Sequence, residues 1–316
     1  MTVQGSAAGR VALVTGANAG IGFFTAAALA ARGAHVILGC RSRARAETAM
    51  AAIRSRVPDA RLEALEMDLS SMDSVAEAVE DLRVRERLDL LIANAGMVHV
   101  PDGRRETREG RELVLATNVL GHVRLVAGVL PVLERAEAAR VVALGSLSAF
   151  MVPYRIDDLE LEHRYSPWQA YAQSKIALTT WGFELGRRLV VAGSPVRALV
   201  AHPGYSIGGR TPRVPGINEP SRSKRFVDNL QAAFTQSKQA GARPVVRAAL
   251  DPEARPDLDA ARPVFYGPAA GVKGAPVRQS PPAVTLDPRI AALTWTRLHR
   301  LAGTELLDEG ALPAEF

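Results

Sequence analysis

Tyr171 and Lys175 stand four residues apart in Tyr171-Ala172-Gln173-Ser174-Lys175. Ser166-Pro167 just upstream has the form of an N-cap followed by proline at the first helical position. Inside that helix, Tyr171 and Lys175 share one face. A phenol ordinarily ionises near about pH 10, too high for a base at neutrality. A neighbouring ammonium stabilises the phenolate and lowers that value, so the pair is suited to moving a proton. The same spacing also arises on ordinary helix surfaces, and only its surroundings give it meaning. Those surroundings include Gly145-Ser146 at the end of an apolar run, Asn94-Ala95-Gly96 at the end of another, and Asn118 in Thr117-Asn118-Val119-Leu120-Gly121-His122.

A second group is built for an anion. Thr15-Gly16-Ala17-Asn18-Ala19-Gly20-Ile21-Gly22 lies between the first apolar run and the first helical stretch. Glycines there permit a tight turn and let backbone N–H groups approach a phosphate, with the helix dipole behind them. An ordinary turn also uses glycine; the position directly after strand one favours a dinucleotide, held by Gly16, Asn18, Gly20, Ile21 and Gly22. After strand two an acid would bind a free ribose 2′-hydroxyl, but the chain reads Leu38-Gly39-Cys40-Arg41-Ser42-Arg43. Arg41, with Arg43 nearby, offers a charge-assisted partner to a 2′-phosphate, which points to NADP. The competing reading is that these arginines open a solvated helix. Cys40 is read as a packing or adenosine contact and not as a nucleophile.

Positioning these groups requires alternating strands and helices. Strands are expected at 10–14, 34–38, 61–66, 88–93, 140–144 and 196–201. Helices are expected at 21–32, 43–56, 72–82, 109–135 and 168–191. The strands lack clean polar/apolar alternation, as when both sheet faces are covered. The fold class is therefore α/β, a Rossmann-type doubly wound parallel sheet with right-handed crossovers. Carboxyl ends of parallel strands share one edge, so the glycine loop, Asn94, Ser146 and the Pro203-Gly204 loop should face one cleft. Beyond residue 203 the texture changes, and 203–220 is dense in Pro, Gly and Arg. Helices near 225–239, 245–250 and 290–301 and a strand at 263–266 are expected, with 267–288 irregular. The chain reads as one domain over 1–316, with 205–316 a substrate-loop and C-terminal extension of it.

Composition narrows the partners. A hydrophobic share of 47% suits a large buried core. The net charge of +6 is spread along the chain without a basic run, which disfavours nucleic acid. One cysteine excludes an internal disulfide and fits a reducing, cytoplasmic setting. No stretch reads as a signal peptide or as about 18 uninterrupted apolar residues, so neither secretion nor a membrane span is expected. His99, His122, His163 and His202 do not show metal-ligand spacing, and no metal is expected.

Taken together, Thr15–Gly22, Asn94–Gly96 and Tyr171–Lys175 appear in the order and form of the TGxxxGxG, NAG and YxxxK motifs, and the chain resembles the short-chain dehydrogenase/reductase family over nearly its whole length. Met67-Asp68-Leu69-Ser70-Ser71 matches the adenine-contacting segment, and Ala201–Ser206 looks like the nicotinamide-side loop. Thr117–His122 and the long gap from Ser146 to Tyr171 are similar to the retinol-dehydrogenase-like and protochlorophyllide-reductase-like branch. The resemblance implies a tetrad of Asn118, Ser146, Tyr171 and Lys175. Ser146 would polarise a carbonyl, Tyr171 would give or take the proton, Lys175 would hold the ribose and lower the Tyr171 pKa, and Asn118 would position a relay water. It further implies cofactor contacts from Asp68, Leu69, Asn94, Ala95, Gly96, Tyr171, Lys175, Pro203, Gly204 and Ser206, beside the glycine loop and Arg41. The register at the strand end favours Ser146 over Ser148.

Departures bear on the substrate. Where the family often carries a carboxamide-contacting threonine this chain has Gly208, with Ser206 or Thr211 as replacements or a displaced loop as the other reading. The Arg-rich segment Arg210–Arg225 departs from the branch, and light-dependent chemistry is disfavoured because no cysteine is expected near the site. Phe150, Met151, Tyr154, Trp168 and Tyr205 are pocket or core residues, and a pocket of them would suit a lipophilic or aromatic carbonyl or alcohol. The expected function is hydride transfer between NADP(H) and such a substrate. An NAD(P)-dependent epimerase or dehydratase, and a catalytically silent NADP-binding sensor, are the alternatives. Analogy suggests a homodimer or homotetramer built through helices near 109–135 and 167–192.

Overall fold

A computed structural model of the chain describes residues 5–98, 102–254 and 263–307. The strands are β1 (Val11–Thr15), β2 (His35–Cys40), β3 (Arg61–Glu66), β4 (Leu90–Ala93), β5 (Arg140–Leu144), β6 (Arg197–Ala201), β7 (Ser206–Ile207), β8 (Gln236–Ser237), β9 (Phe265–Pro268) and β10 (Pro276–Arg278). Eight form one sheet in the order β3-β2-β1-β4-β5-β6-β9-β10, parallel except for β10. Successive residues along a strand face opposite sides. Accordingly Leu13, Ile37, Leu91 and Val141 enter one apolar cluster, while Val14, Leu38, Ile92 and Val142 enter the other. Both faces are buried, which is why the strands carry no polar stripe.

The helices are α1 (Gly20–Ala30), α2 (Arg43–Arg54), α3 (Met72–Arg83), α4 (Leu113–Leu133), α5 (Pro167–Val191), α6 (Arg222–Leu230), α7 (Lys238–Leu250) and α8 (Pro288–Ala302). Residues of α1, α2 and α7 fill one cluster; those of α3, α4, α5 and α8 fill the other. Helix α4 is long and apolar enough to cross a membrane, yet most of it is buried inside the protein, as a core helix is. A π-helical turn at Ala116–Leu120 interrupts it. The N-cap expected for α5 is present: the Ser166 hydroxyl accepts from the Gln169 N–H at 3.2 Å, ahead of Pro167.

The structure departs from expectation after residue 203. The anticipated helix at 225–239 is split, because Ser221 caps α6 early and Ser237 caps a new helix, α7, from the Ala240 N–H at 3.0 Å. Between the caps, β7 and β8 pair as a separate parallel ribbon. Pro244 lies inside α7, not at its start; burial of Gly241, Ala242, Val245 and Ala249 outweighs the lost backbone bond. The segment 267–288, expected to be irregular, holds β10. A turn with Gly271 and Gly274 at φ +70° and +126° brings β10 back antiparallel to β9, a conformation only glycine adopts cheaply.

Helix α8 packs against both α4 and α5, the helices through which analogy would join subunits. Trp295 of α8 stacks on Trp181 of α5 at 6.5 Å, and the Arg124 Nη1 of α4 donates to the Ala302 carbonyl at 3.1 Å.

Candidate active site at the carboxyl edge of the sheet

The loop after β1 is shaped by its glycines. Gly16 and Gly20 hold φ of +66° and +61°. A Cβ on Gly22 would come within 2.4 Å of the Gly16 carbonyl and the Asn94 amide, so a side chain there would close the turn. Asn94 anchors the loop by donating from Nδ2 to the Thr15 carbonyl at 2.7 Å. Its buried Oδ1 has no protein partner, a polar atom left for something bound in the loop. The Thr15 hydroxyl accepts from the Asn94 and Ala95 N–H groups at 2.9 Å each, which ties β1 to the end of β4.

Arg41 is exposed at the end of β2, whereas Arg43 turns to Glu47 at 3.3 Å. Arg45, which sequence reasoning missed, belongs to this corner. Its Nε and Nη2 lie 3.2 Å from the Asn18 side-chain amide, whose oxygen accepts from both. The signal was present in the sequence: two residues past Arg43, the first turn of α2 places Arg45 back toward the glycine loop. Cys40 is buried and its thiol is pushed up to about 11, chiefly by burial, which makes it a packing residue and a poor nucleophile. Asp68 accepts from the Ser70 N–H and hydroxyl at 2.9 and 2.7 Å. The Leu69 side chain is buried in the core, so any nucleotide contact it makes is through its backbone.

At the centre, the Tyr171 hydroxyl donates to Ser146 Oγ at 3.4 Å. Ser146 also accepts from the Ser148 N–H at 3.2 Å and the Ser148 hydroxyl at 3.0 Å. With Ser148 buried and pointing its proton inward, the Ser146 proton is the one free to meet a substrate oxygen. The geometry thus agrees with the register argument for Ser146. Burial raises the Tyr171 pKa and the Ser146 hydrogen bond pulls it back. The expected lowering by Lys175 is not found: its Nζ donates to the Leu144 carbonyl at 2.9 Å, and burial brings its own pKa down to about 8.

Asn118 sits in the π-turn, a frequent mark of functional sites. Its side chain is occupied, accepting from the Met97 N–H at 2.7 Å and donating to Ser174 Oγ at 2.9 Å. A relay water would have to use its backbone carbonyl, which already accepts from His122 Nδ1 at 3.0 Å. His122 Nε2, left without a proton, accepts from the Thr15 hydroxyl at 2.9 Å. His122 therefore links the nucleotide loop to the Asn118 turn; its burial holds its pKa down near about 4 and keeps it neutral. Ser174, also missed, bridges the Asn118 amide to the Tyr171 carbonyl at 2.7 Å.

Pro203 and Gly204 follow β6, with Gly204 at φ +62°. His202 is buried beneath them, bonded from Nε2 to Gln279 Oε1 at 2.6 Å and accepting at Nδ1 from the Gly204 N–H at 3.3 Å. Ser206 donates to the Pro203 carbonyl at 2.8 Å. Thr211 does not stand in for the missing threonine: it is fully buried, donating to Ile207 and accepting from the Lys238 N–H. Tyr154 is likewise core, bonded to Thr294, while Phe150, Met151, Trp168 and Tyr205 are exposed. The Trp168 ring lies 6.4 Å from that of Tyr171. His99 lies outside the described residues.

A strand-loop-helix nucleotide site and a Ser-Tyr-Lys cluster on one sheet edge have parallels among known proteins. The short chain dehydrogenase family model matches residues 10–207. The chain belongs to the short-chain dehydrogenase/reductase family. It is 33% identical to retinol dehydrogenase 13 of Homo sapiens over 303 residues, 94% of this chain and 86% of that one, within the retinol-dehydrogenase-like branch. A crystal structure of an uncharacterised protein from Mycobacterium Paratuberculosis shares 34% identity and a TM-score of 0.75, covering 95% of this chain and 96% of the other. The Pseudomonas aeruginosa RhlG/NADP active-site complex shares 26% identity and a TM-score of 0.57, covering 79% and 92%. Short-chain dehydrogenases/reductases are oxidoreductases that use a nicotinamide cofactor and act on small molecules. The glycine turn and the unpaired Asn94 oxygen fit such a cofactor.

Proposed function

We propose that the chain is an NADP(H)-dependent oxidoreductase that interconverts a carbonyl and an alcohol on a lipophilic or aromatic small molecule. The observation that carries this reading is the Tyr171 hydroxyl 3.4 Å from Ser146 Oγ, at the edge where the glycine loop opens and with buried Lys175 one helical turn along. When bound, the cofactor supplies or accepts the hydride. In reduction, the Ser146 hydroxyl donates a hydrogen bond to the carbonyl oxygen, and Tyr171 delivers its proton to that oxygen. In oxidation the same phenol takes the proton back. Lys175 keeps two ammonium protons beyond the Leu144 bond, enough to hold a ribose.

Exposed Arg41 at the end of β2, and Arg45 beside Asn18, support a 2′-phosphate and hence NADP, as does the NADP in the RhlG complex. Exposed Phe150, Met151 and Trp168, the last with its ring 6.4 Å from that of Tyr171, support an apolar substrate, in keeping with the name of the retinol dehydrogenase relative. The cytoplasm remains the setting that its single, unpaired cysteine fits. The epimerase and silent-sensor readings have no observation in their favour.

The test is NADPH and NADH oxidation against a panel of ketones, aldehydes and quinones, with Tyr171→Phe as control. Turnover with NADPH should fall about a hundred- to ten-thousandfold in the variant while NADPH binding persists. Tight NADPH binding without turnover on any carbonyl would refute the reaction, and a preference for NADH would refute the cofactor assignment.

A further inference from the structure

Pro203 and Gly204 turn the chain at the carboxyl end of β6, and later parts of the chain hold that turn from two sides. The Pro203 carbonyl accepts from the Gln236 side chain at 2.8 Å, and Gln236 Oε1 accepts from the Gly274 N–H at 3.2 Å, in the turn between β9 and β10. On the other side the Gly204 N–H donates to His202 Nδ1 at 3.3 Å, and His202 Nε2 lies 2.6 Å from Oε1 of Gln279, the residue after β10.

One backbone carbonyl fixes the protons of that second chain. The Pro268 carbonyl can only accept, and Gln279 Nε2 donates to it at 2.5 Å. Gln279 Oε1 is thereby turned to His202 and can only accept, which puts the imidazole proton on Nε2. Nδ1 is left bare, as the Gly204 N–H requires. The space is tight: His202 is fully buried, Phe265 stacks on its ring at 5.0 Å, and a side chain on Gly267 would run into both Nε2 and the Gln279 oxygen. Phe265, Gly267 and Gln279 carry no charge, and burial, the larger influence on the His202 pKa, holds it down and the ring neutral.

The sheet order places this turn at the far end of a bound dinucleotide. Arg41 follows β2 and the glycine loop follows β1, whereas Pro203–Gly204 follows β6, three strands from β1 across β4 and β5. At about 4.8 Å per strand the turn is roughly 14 Å from the glycine loop. A dinucleotide with its adenosine end at Arg41 and its phosphates on the glycine loop brings its nicotinamide end here.

We propose that Gln279 and His202 are positioning residues of the active site: Gln279 sets the His202 tautomer, and His202 thereby holds the Gly204 N–H and the turn that receives the nicotinamide end. The hairpin of β9 and β10 then shapes the cofactor site from behind without touching a reacting atom. The inference rests on the cofactor site proposed above, but not on the choice of NADP or of substrate.

Gln279→Glu tests it through pH. A carboxylate at that position favours the imidazolium, which protonates Nδ1 and sets its N–H against that of Gly204. Binding of NADP+ and NAD+ is followed by tryptophan fluorescence between pH 8 and pH 6. For the tighter of the two, the ratio of Q279E to wild-type dissociation constants should rise about tenfold over that range, the worth of one hydrogen bond. Q279L, which loses the bonds to His202 and Pro268 without adding charge, should bind more weakly by a factor that stays constant with pH. Adenosine diphosphate, which lacks the nicotinamide end, should bind all three proteins alike. Circular dichroism and thermal unfolding at each pH establish that the variants are folded. Long-range proton–nitrogen NMR of the wild type should find the His202 proton on Nε2. A proton on Nδ1, or a folded Q279E whose ratio does not change with pH, would overturn the proposal and leave Gln279 a packing residue of the hairpin. An equal loss of adenosine diphosphate affinity would overturn it too, by moving the effect to the glycine loop. Failure of the wild type to turn over any carbonyl would refute the reaction alone, since every reading here is of binding or of tautomer.

Discussion

Lys175 is the residue on which pH acts most directly. Burial lowers its pKa from 10.5 to about 8, so its ammonium is fully present below about pH 8 and is lost as pH rises through that value. Tyr171 moves the other way and stays protonated through neutrality, as a proton donor in reduction must. Carbonyl reduction should therefore hold a constant kcat/KM below about pH 8 and decline above it. In Lys175→Arg, whose guanidinium keeps its charge, the inflection should move upward among the surviving activity. An unshifted inflection would assign it to another group. Arg41 makes a second residue-scale case: Arg41→Ala should weaken NADPH binding about ten- to a hundredfold, the worth of a charge-assisted hydrogen bond, and leave NADH nearly unaffected. Fluorescence titration of both cofactors decides it.

Between elements, Arg188 ties α5 to α8, and a buried ion pair within α5 holds it in place. Arg188 Nε lies 2.7 Å from Glu184 Oε1, both side chains almost wholly inaccessible, and the guanidinium sits 4.6 Å over the Trp295 ring. Glu184 also pairs with Arg187, and removing it leaves the buried Arg188 charge without a carboxylate, against the Leu307 carbonyl and the Trp295 ring. Glu184→Leu should destabilise the protein by about 3–5 kcal/mol in denaturant unfolding. The double replacement E184L/R188L should recover much of that loss, because the desolvated charge is then gone as well. If the double variant is no more stable than the single one, packing of Arg188 on Trp295 outweighs the electrostatics.

For the whole molecule, acid sensitivity follows from buried neutral histidines, of which His122 and His299 are shifted furthest. His122 links Thr15 to Asn118, and His299 accepts from Trp181 Nε1 at 3.3 Å; burial lowers each pKa from 6.5 to about 4. Below about pH 6.5 the unfolded chain takes up these protons first. Stability is thus complete above that pH and declines as it drops toward 4, by about 3 kcal/mol for each histidine. Urea unfolding between pH 7 and 4 should show the loss, and His299→Gln should flatten the profile by one such share. A profile unchanged by the substitution would place the acid sensitivity in the carboxylates.

Much of this protein was legible in the chain itself. Alternating apolar runs and helical stretches specify a doubly wound sheet because local periodicity and buried strands leave few other solutions, and parallel strands must bring Gly16, Asn94, Ser146 and Pro203 to one edge. Ser166-Pro167 likewise sets the start of α5, and so the shared face of Tyr171 and Lys175, through local backbone chemistry alone. What only the tertiary structure decided depends on contacts between distant residues and on burial. The direction of the Ser148 proton leaves Ser146 free for substrate, and burial raises the Tyr171 pKa despite Lys175. Packing of Trp295 on Trp181 lays α8 against α5, and the Gly209–Asp228 bond fixes which side of α6 is buried. None of these has a local signature, because each depends on which surface meets which after the chain has closed.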